Sequence, residues 1–352
     1  MPELPMPAPR HEPGLDLLRA GAALWILLTH AVFFAWALHD DWKMVLYAPS
    51  LAVDAFLVLS GFLLGRAMLA GATPGALLVR RCWRLLPVYW LFLGINIALA
   101  GGMPAAEVIR HALLLHTLAD PAGPVMPESY VLADVAWFTL LAAPLAAWVV
   151  RGPAAGARLA ALALAWAVLG AALRLGWVLA MDPSWDEGTK KLLLTRLDGA
   201  AYGLLIAALL HARPAWFAAR RALFAAGTLL VVAAAALHAG RDVDHDLAAR
   251  TLGFVLSGLG FALWLPALLD WRATDTALAR GAAAVARWSF MLYLVHFLPM
   301  RLLPDGWRQA ADWPTALLHI GGYAALCILS AAALHRLVER PWRRLGPAPD
   351  RA

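Results

Sequence analysis

Long apolar runs alternate with short polar breaks along nearly the whole chain. The runs cover Gly14–Leu38, Pro49–Leu69, Leu85–Gly101, Tyr130–Val150, Arg158–Ala180, Leu192–Leu210, Ala222–Ala239, Leu247–Leu269, Ala283–Leu303 and Thr315–Leu337. Each is close to the roughly 20 residues that a helix needs to cross a hydrocarbon layer. The pattern predicts an all-α polytopic membrane protein with ten transmembrane helices. A Pro-rich tail, residues 1–13, precedes a single membrane domain over 14–345, and residues 346–352 form a closing tail. A short interfacial helix is expected near Glu107 to Leu118, inside the longer break of residues 102–129, and a polar turn at His39 to Lys43.

Composition supports this frame. Of 352 residues, 62% are hydrophobic and only 15% charged, too little polar surface for a soluble domain of this length. The net charge of +6 is spread over many short breaks, which argues against a nucleic-acid surface. With ten spans, alternate breaks share a side. One side gathers Arg66, Arg80, Arg81, Arg84, Arg151, Arg213 and the arginines of the C-terminal tail. The other is acidic, with Asp40, Asp41, Asp182, Asp186, Asp242 and Asp244. The positive-inside rule then puts both termini in the cytoplasm. The first run holds Arg19 and lacks a small-residue cleavage site, so it reads as a membrane helix and not as a removable signal. Cys82 and Cys327 fall on the cytoplasmic side or in the membrane, where no disulfide is expected.

Ionisable residues inside an apolar run are costly there and mark candidate sites. Arg19 and His30 lie eleven positions apart in the first run, about three helical turns, so they share one face. At ~1.5 Å per residue they are roughly 16 Å apart along the axis, about half the hydrocarbon thickness. One helix thus sets a cation near one surface and an imidazole deep in the layer. Taken singly, Arg19 reads as a snorkelling anchor and His30 as a packing residue; together they point to a catalytic channel. Asp54 enters the second run from the other side at a similar depth. It is placed either to orient the His30 ring or to make a structural hydrogen bond.

Arg81 and Arg84 share a helix face and present two guanidinium forks suited to phosphate, although spacing alone fits a positive-inside anchor equally well. Arg196 and Asp198 line an acceptor cleft or form a local pair, and the spacing favours neither. His296 reads first as a packing histidine and second as a wall of the same cavity. No metal-ligand spacing, phosphate loop or dinucleotide glycine pattern is present.

Six stretches carry a resemblance: LDLLRAGAALWILLTH from Leu15, VDAFLVLSGFLL from Val53, RRCWRLLPVYW from Arg80, RLDGAAYGLLIA from Arg196, SFMLYLVH from Ser289 and ERPWRRL from Glu339. In this order they resemble the acyltransferase-3 family of integral membrane acyltransferases, over residues 15 to 345. The resemblance implies about ten membrane helices and transfer of an acyl group, often acetyl, from cytoplasmic acyl-CoA. The acceptor it implies is a hydroxyl of a cell-envelope carbohydrate or glycolipid, at the bacterial inner membrane. Acyl-CoA is then a co-substrate and no permanent cofactor is expected. By position, His30 becomes the catalytic histidine and Arg19, Arg81 and Arg84 functional arginines; these arginines are expected to hold the donor, Asp54 to orient His30, and, apart from the resemblance, Arg196, Asp198 and His296 to face the acceptor. The chain departs from the pattern at Ala142, where many relatives carry a glutamate after a Trp-Ser-Leu stretch. The competing class is a transporter or flippase of a glycan or lipid precursor, but the expected internal repeat and matched broken helices are missing. A third reading, a non-catalytic membrane assembly subunit, leaves the arginine pair unexplained.

Overall fold

The computed structural model describes residues 11–38, 49–118, 125–239, 242–308 and 310–346; the expected turn at His39 to Lys43 lies outside them. Among the described residues the elements are helical. Ten are long and apolar enough to cross a membrane. They are built on α1 (Pro13–Ala31), α2 (Pro49–Leu69), α3 (Pro74–Leu99), α4 (Tyr130–Val149), α5 (Ala155–Met181), α6 (Gly199–Ala212, whose span takes in the turn from Leu193), α7 (Arg220–His238), α8 (Leu252–Asp270), α9 (Ala277–Val295) and α10 (Trp313–Leu334). With an even number of crossings, α1 begins and α10 ends at one face, called the terminal face below.

Of the boundaries that differ from the sequence expectation, three do so for reasons that the local sequence shows. Helix α3 begins at Pro74, not Leu85. The Thr73 hydroxyl accepts from the Ala76 amide at 3.3 Å and Pro74 opens the first turn, so the basic segment is helical. Helix α6 proper starts only at Gly199, after a tight turn at Leu193–Thr195. Residues Leu247–Arg250 form a separate turn, capped by Asp246 accepting from the Ala249 amide at 2.8 Å, before α8 starts at Leu252. The interfacial helix is present as Ala105–Ala112.

Helix α1 belongs to two packed groups at once. Leu15, Leu18, Ala22 and Ile26 join a core built with α2, α4, α5, α6, α7 and α8. Ala23, Leu27, Ala31 and Phe34 join a second core with α3, α9 and α10. Both sets recur at three- and four-residue spacing, so α1 carries two apolar stripes and forms the seam between the groups. Helices α2 and α6 are the most enclosed, whereas α5, α7 and α10 leave most of their surface facing outward, as lipid-facing helices do.

The central α2–α6 contact depends on glycine. A β-carbon on Gly203 would sit 1.7 Å from the Val58 carbonyl oxygen, and one on Gly61 would sit 1.8 Å from that of Ala200. The two backbones touch directly, the close approach that small residues permit in membranes. Replacing Gly203 by Ala must force α2 and α6 apart. We expect a loss of about 1–3 kcal/mol, seen as a lowered melting temperature of the detergent-purified protein. Gly176→Ala, where a β-carbon meets nothing within 4 Å, should leave the melting temperature unchanged or slightly raised. Equal behaviour of the two variants would contradict the packing.

Candidate active site

His30 lies in the last turn of α1, just before the helix tightens at Val32–Leu38. Its Nδ1 is 2.7 Å from the Ile26 carbonyl oxygen. A carbonyl only accepts, so in this geometry Nδ1 carries the proton and Nε2 of the neutral ring keeps its lone pair. The ring meets His296 edge-on, with centroids 4.8 Å apart, and Phe297 at the same distance. His296 ends α9 and repeats the arrangement: its Nδ1 donates to the Tyr293 carbonyl at 2.7 Å. It is 2% exposed, and its Nε2 has no hydrogen-bond partner among the described residues. Two imidazoles therefore meet at the seam, each locked by its own backbone. Beside them Ala23, Ile26 and Leu27 of α1, Phe56 of α2, and Leu292, Tyr293 and His296 of α9 enclose a cavity of about 10 Å³, room for a single water.

Asp54 does not orient His30. Its carboxylate is 1% exposed, and one oxygen accepts from Arg196 Nη2 while the other accepts from the Ser257 hydroxyl. The reason is electrostatic. A guanidinium entering the bundle just ahead of α6 satisfies a buried carboxylate far better than a neutral ring would. Arg196 and Asp198 are likewise not paired with each other. Arg174 grips Asp198 with two bonds of 2.7 and 2.8 Å, and the Tyr202 hydroxyl adds a third at 3.0 Å. Both guanidinium groups stack near the Phe254 ring, at 5.2 Å for Arg174 and 4.5 Å for Arg196. This network clamps α2, α5, α6 and α8.

Sequence reasoning passed over two members of this region. Ser257 is one, an ordinary hydroxyl on an apolar helix, and nothing in the local pattern marks it. Asp134 is the other: it is 3% exposed, and neither carboxylate oxygen has a hydrogen-bond partner among the described residues. A lone acid inside an apolar run was the available signal.

The terminal-face arginines separate into two kinds. Arg81 is spent on structure: it donates to Ser60 Oγ at 2.9 Å, to the Ser60 carbonyl at 3.1 Å and to the Thr139 hydroxyl, tying α2, α3 and α4. Arg19 bonds Asp16 at 3.0 Å, and His11 reaches the same carboxylate at 2.6 Å. Arg84 is exposed and makes no hydrogen bond or ion pair among the described residues, with Arg19, Arg343 and Glu339 as its charged neighbours.

On the opposite side of His30, Lys190 and Lys191 both contact Asp186 at 2.5 Å, and all three contribute to the field at His30. Burial pushes the Asp186 carboxyl up, but the two lysines outweigh it and hold it down at about 2. The Asp186 carboxylate is thus held ionised between the two lysine side chains. Among the described residues, no grouping of His, Cys, Asp and Glu suits a metal ion.

A family model described as an acyltransferase domain, acyltransferase-3 type, matches residues 12–336. No curated protein and no solved structure matches the chain. The match takes in all of α1 through α10, so it contains both histidines, the buried charge network and Arg19, Arg81 and Arg84. The chain therefore belongs to the acyltransferase-3 family, and it is a multi-pass membrane enzyme that transfers acyl groups.

Proposed function

We propose that the enzyme moves an acetyl group from cytoplasmic acyl-CoA to a hydroxyl of a cell-envelope carbohydrate or glycolipid, at the bacterial inner membrane. The observation that carries this reading is the free Nε2 of His30, set at the seam of the two helix groups and flanked by a second imidazole. The terminal face, rich in arginine, is then cytoplasmic by the positive-inside rule. The donor enters from that face, and Arg19 and Arg84 attract its phosphates. The acceptor comes from the opposite face, past Lys190 and Lys191.

His30 Nε2 takes the proton of the acceptor hydroxyl as its oxygen attacks the thioester carbonyl. The carbon–sulfur bond then breaks, the acyl group stays on the acceptor oxygen, and the imidazolium returns its proton to the departing thiolate. His296 lies where it can hold the acceptor hydroxyl or share the proton. Arg196 and Asp198 shape the acceptor side through the clamp they form with Asp54 and Arg174. Asp54 thereby acts as a positioning residue for α2, whose Phe56 lines the cavity.

Three outcomes follow from these roles. His30→Ala should abolish transfer of labelled acetyl groups by the purified protein while leaving its expression and membrane insertion intact; full activity in that variant ends the proposal. Arg84→Ala should raise the KM for acetyl-CoA by about tenfold, the scale of a lost charge-assisted contact, with kcat little changed. Asp54→Asn leaves Arg196 buried without its counter-charge, so it should lower stability by about 3–5 kcal/mol in thermal unfolding. Loss of turnover with unchanged melting would instead put Asp54 in the chemistry.

A further inference from the structure

The last helix is longer than a membrane crossing requires. From Trp313 it continues through a wide π turn at His335–Glu339 to Arg344 without a break, 32 residues in all. That is roughly 48 Å of helix against about 30 Å of hydrocarbon. Its final turns therefore project at the terminal face, where they lie against the basic segment of α3. The family match ends at residue 336, before this contact begins. Trp83 and Trp342 stack there, with ring centroids 4.8 Å apart and planes at 19°. Trp342 Nε1 donates to the Trp83 carbonyl at 3.0 Å, and Trp83 Nε1 reaches back to the Trp342 carbonyl at 3.4 Å. Gly346 closes over the same ring: a β-carbon on it would sit 2.6 Å from the Trp83 indole.

The first of these bonds answers a defect in α3. Pro87 lies inside the helix and has no amide hydrogen, so the carbonyl four residues earlier, that of Trp83, loses its helical partner. Helices bend at such points. The stretch from Pro74 to Arg84 is thus an arm joined to the rest of α3 across a weakened turn, and it is held from outside. Arg81 ties it to α2 and α4 through Ser60 and Thr139, and Trp342 ties it to the C-terminal segment. Residues 81 and 83 are about 200° apart around a helix, so the two ties grip opposite faces of the arm. Arg84 falls between those faces. The nearby carboxylate does not consume it: Glu339, 1% exposed, accepts from His335 Nδ1 at 2.8 Å within its own turn, with Arg343 at 3.6 Å. The guanidinium of Arg84 is left uncommitted, with Arg19, Arg343 and Glu339 as charged neighbours.

We propose that Trp342 is a positioning residue for acyl transfer: its indole N–H takes the carbonyl that Pro87 leaves without an amide, and so holds the arm of α3 with Arg84 beside Arg19. The inference rests on the reading of Arg84 as a contact to the acyl donor, and it adds the part of the chain that sets this arginine in place. Trp342 itself touches no substrate. The stack fixes the distance between the C-terminal segment and α3, and the hydrogen bond fixes the rotation of the arm about the break at Pro87.

The test is calorimetric titration of CoA into the full-length protein in nanodiscs, with the melting temperature of each variant measured beside it. Trp342→Phe keeps an aromatic ring for the stack and removes only the donor. It should weaken CoA binding about fivefold, the scale of one hydrogen bond, with the melting temperature little changed. Pro87→Ala gives the Trp83 carbonyl an amide of its own, so adding Trp342→Phe to that variant should leave CoA affinity unchanged. Adding Trp342→Phe to Arg84→Ala should likewise cost nothing further, because the arginine being positioned is already gone. A general loss of stability would depend on neither background. If Trp342→Phe weakens CoA binding equally in all three backgrounds, or in none while Arg84→Ala still weakens it, the contact is packing alone and the inference falls by itself. If wild type and Arg84→Ala bind CoA equally, the donor reading of Arg84 fails and the inference goes with it.

Discussion

Charge inside hydrocarbon is tolerated only when it is answered locally, and that constraint organises the interior of this protein. Asp54 is answered by Arg196 and Ser257, Asp198 by Arg174 and Tyr202, and Arg81 by Ser60 and Thr139. Every one of these contacts joins residues from different helices or from a helix and the segment ahead of it. The charges thus act as fasteners in a medium where apolar packing alone discriminates poorly between helix partners. The glycine contacts between α2 and α6 act in the same place, bringing the backbones close enough for Arg196 to reach Asp54.

Against that background the unanswered groups are informative. His30 and His296 each use Nδ1 on a backbone carbonyl of their own helix. Asp134 has no partner for either oxygen among the described residues, and its nearest charged neighbours, Arg196, Asp54 and Asp198, belong to the clamp. The two histidines sit where the helix groups meet, at the α1–α9 contact. A seam can open slightly without unfolding either core, whereas a cavity within a single close-packed core cannot. The placement of α1, contributing one stripe to each core, therefore puts the histidine at the part of the bundle best able to admit a substrate.

Much of this was legible in the sequence, and the rest was not for a physical reason. The ten spans are a matter of apolar length, which is local, and Arg19 and His30 share a face because helical spacing is local too. The start of α3 was missed because Arg80, Arg81 and Arg84 look like a loop until Ser60 and Thr139, more than twenty residues away, are seen to receive Arg81. Asp54 was given the wrong partner for the same reason. Its depth matched His30, but depth fixes only one coordinate, and the angular position of α2 in the bundle brings Arg196, 142 positions later, to the carboxylate instead. The cavity between α1 and α9 depends on which helices are neighbours, and no periodicity within a helix encodes that.

The carbonyl lock on His30 is worth comparing with the carboxylate that sequence reasoning expected. A carboxylate on Nδ1 strengthens a histidine base but adds a buried negative charge, which in hydrocarbon needs its own counter-ion. Here that charge is assigned elsewhere, to the clamp, and the site keeps only neutral partners at short range. The Ile26 carbonyl still selects the tautomer and fixes the ring, because a carbonyl oxygen can accept more than one donor and here takes the ring Nδ1 as well as the Thr29 hydroxyl at 3.1 Å. A ring in the last turn of α1, where the helix tightens at Val32, can therefore be oriented at no electrostatic cost. The field at Nε2 is then set from outside, by Lys190, Lys191 and Asp186 on one side and by the neighbouring imidazole on the other. In the proposed role of base, His30 would carry charge only while it holds a proton in transit, the condition under which an apolar seam can house it.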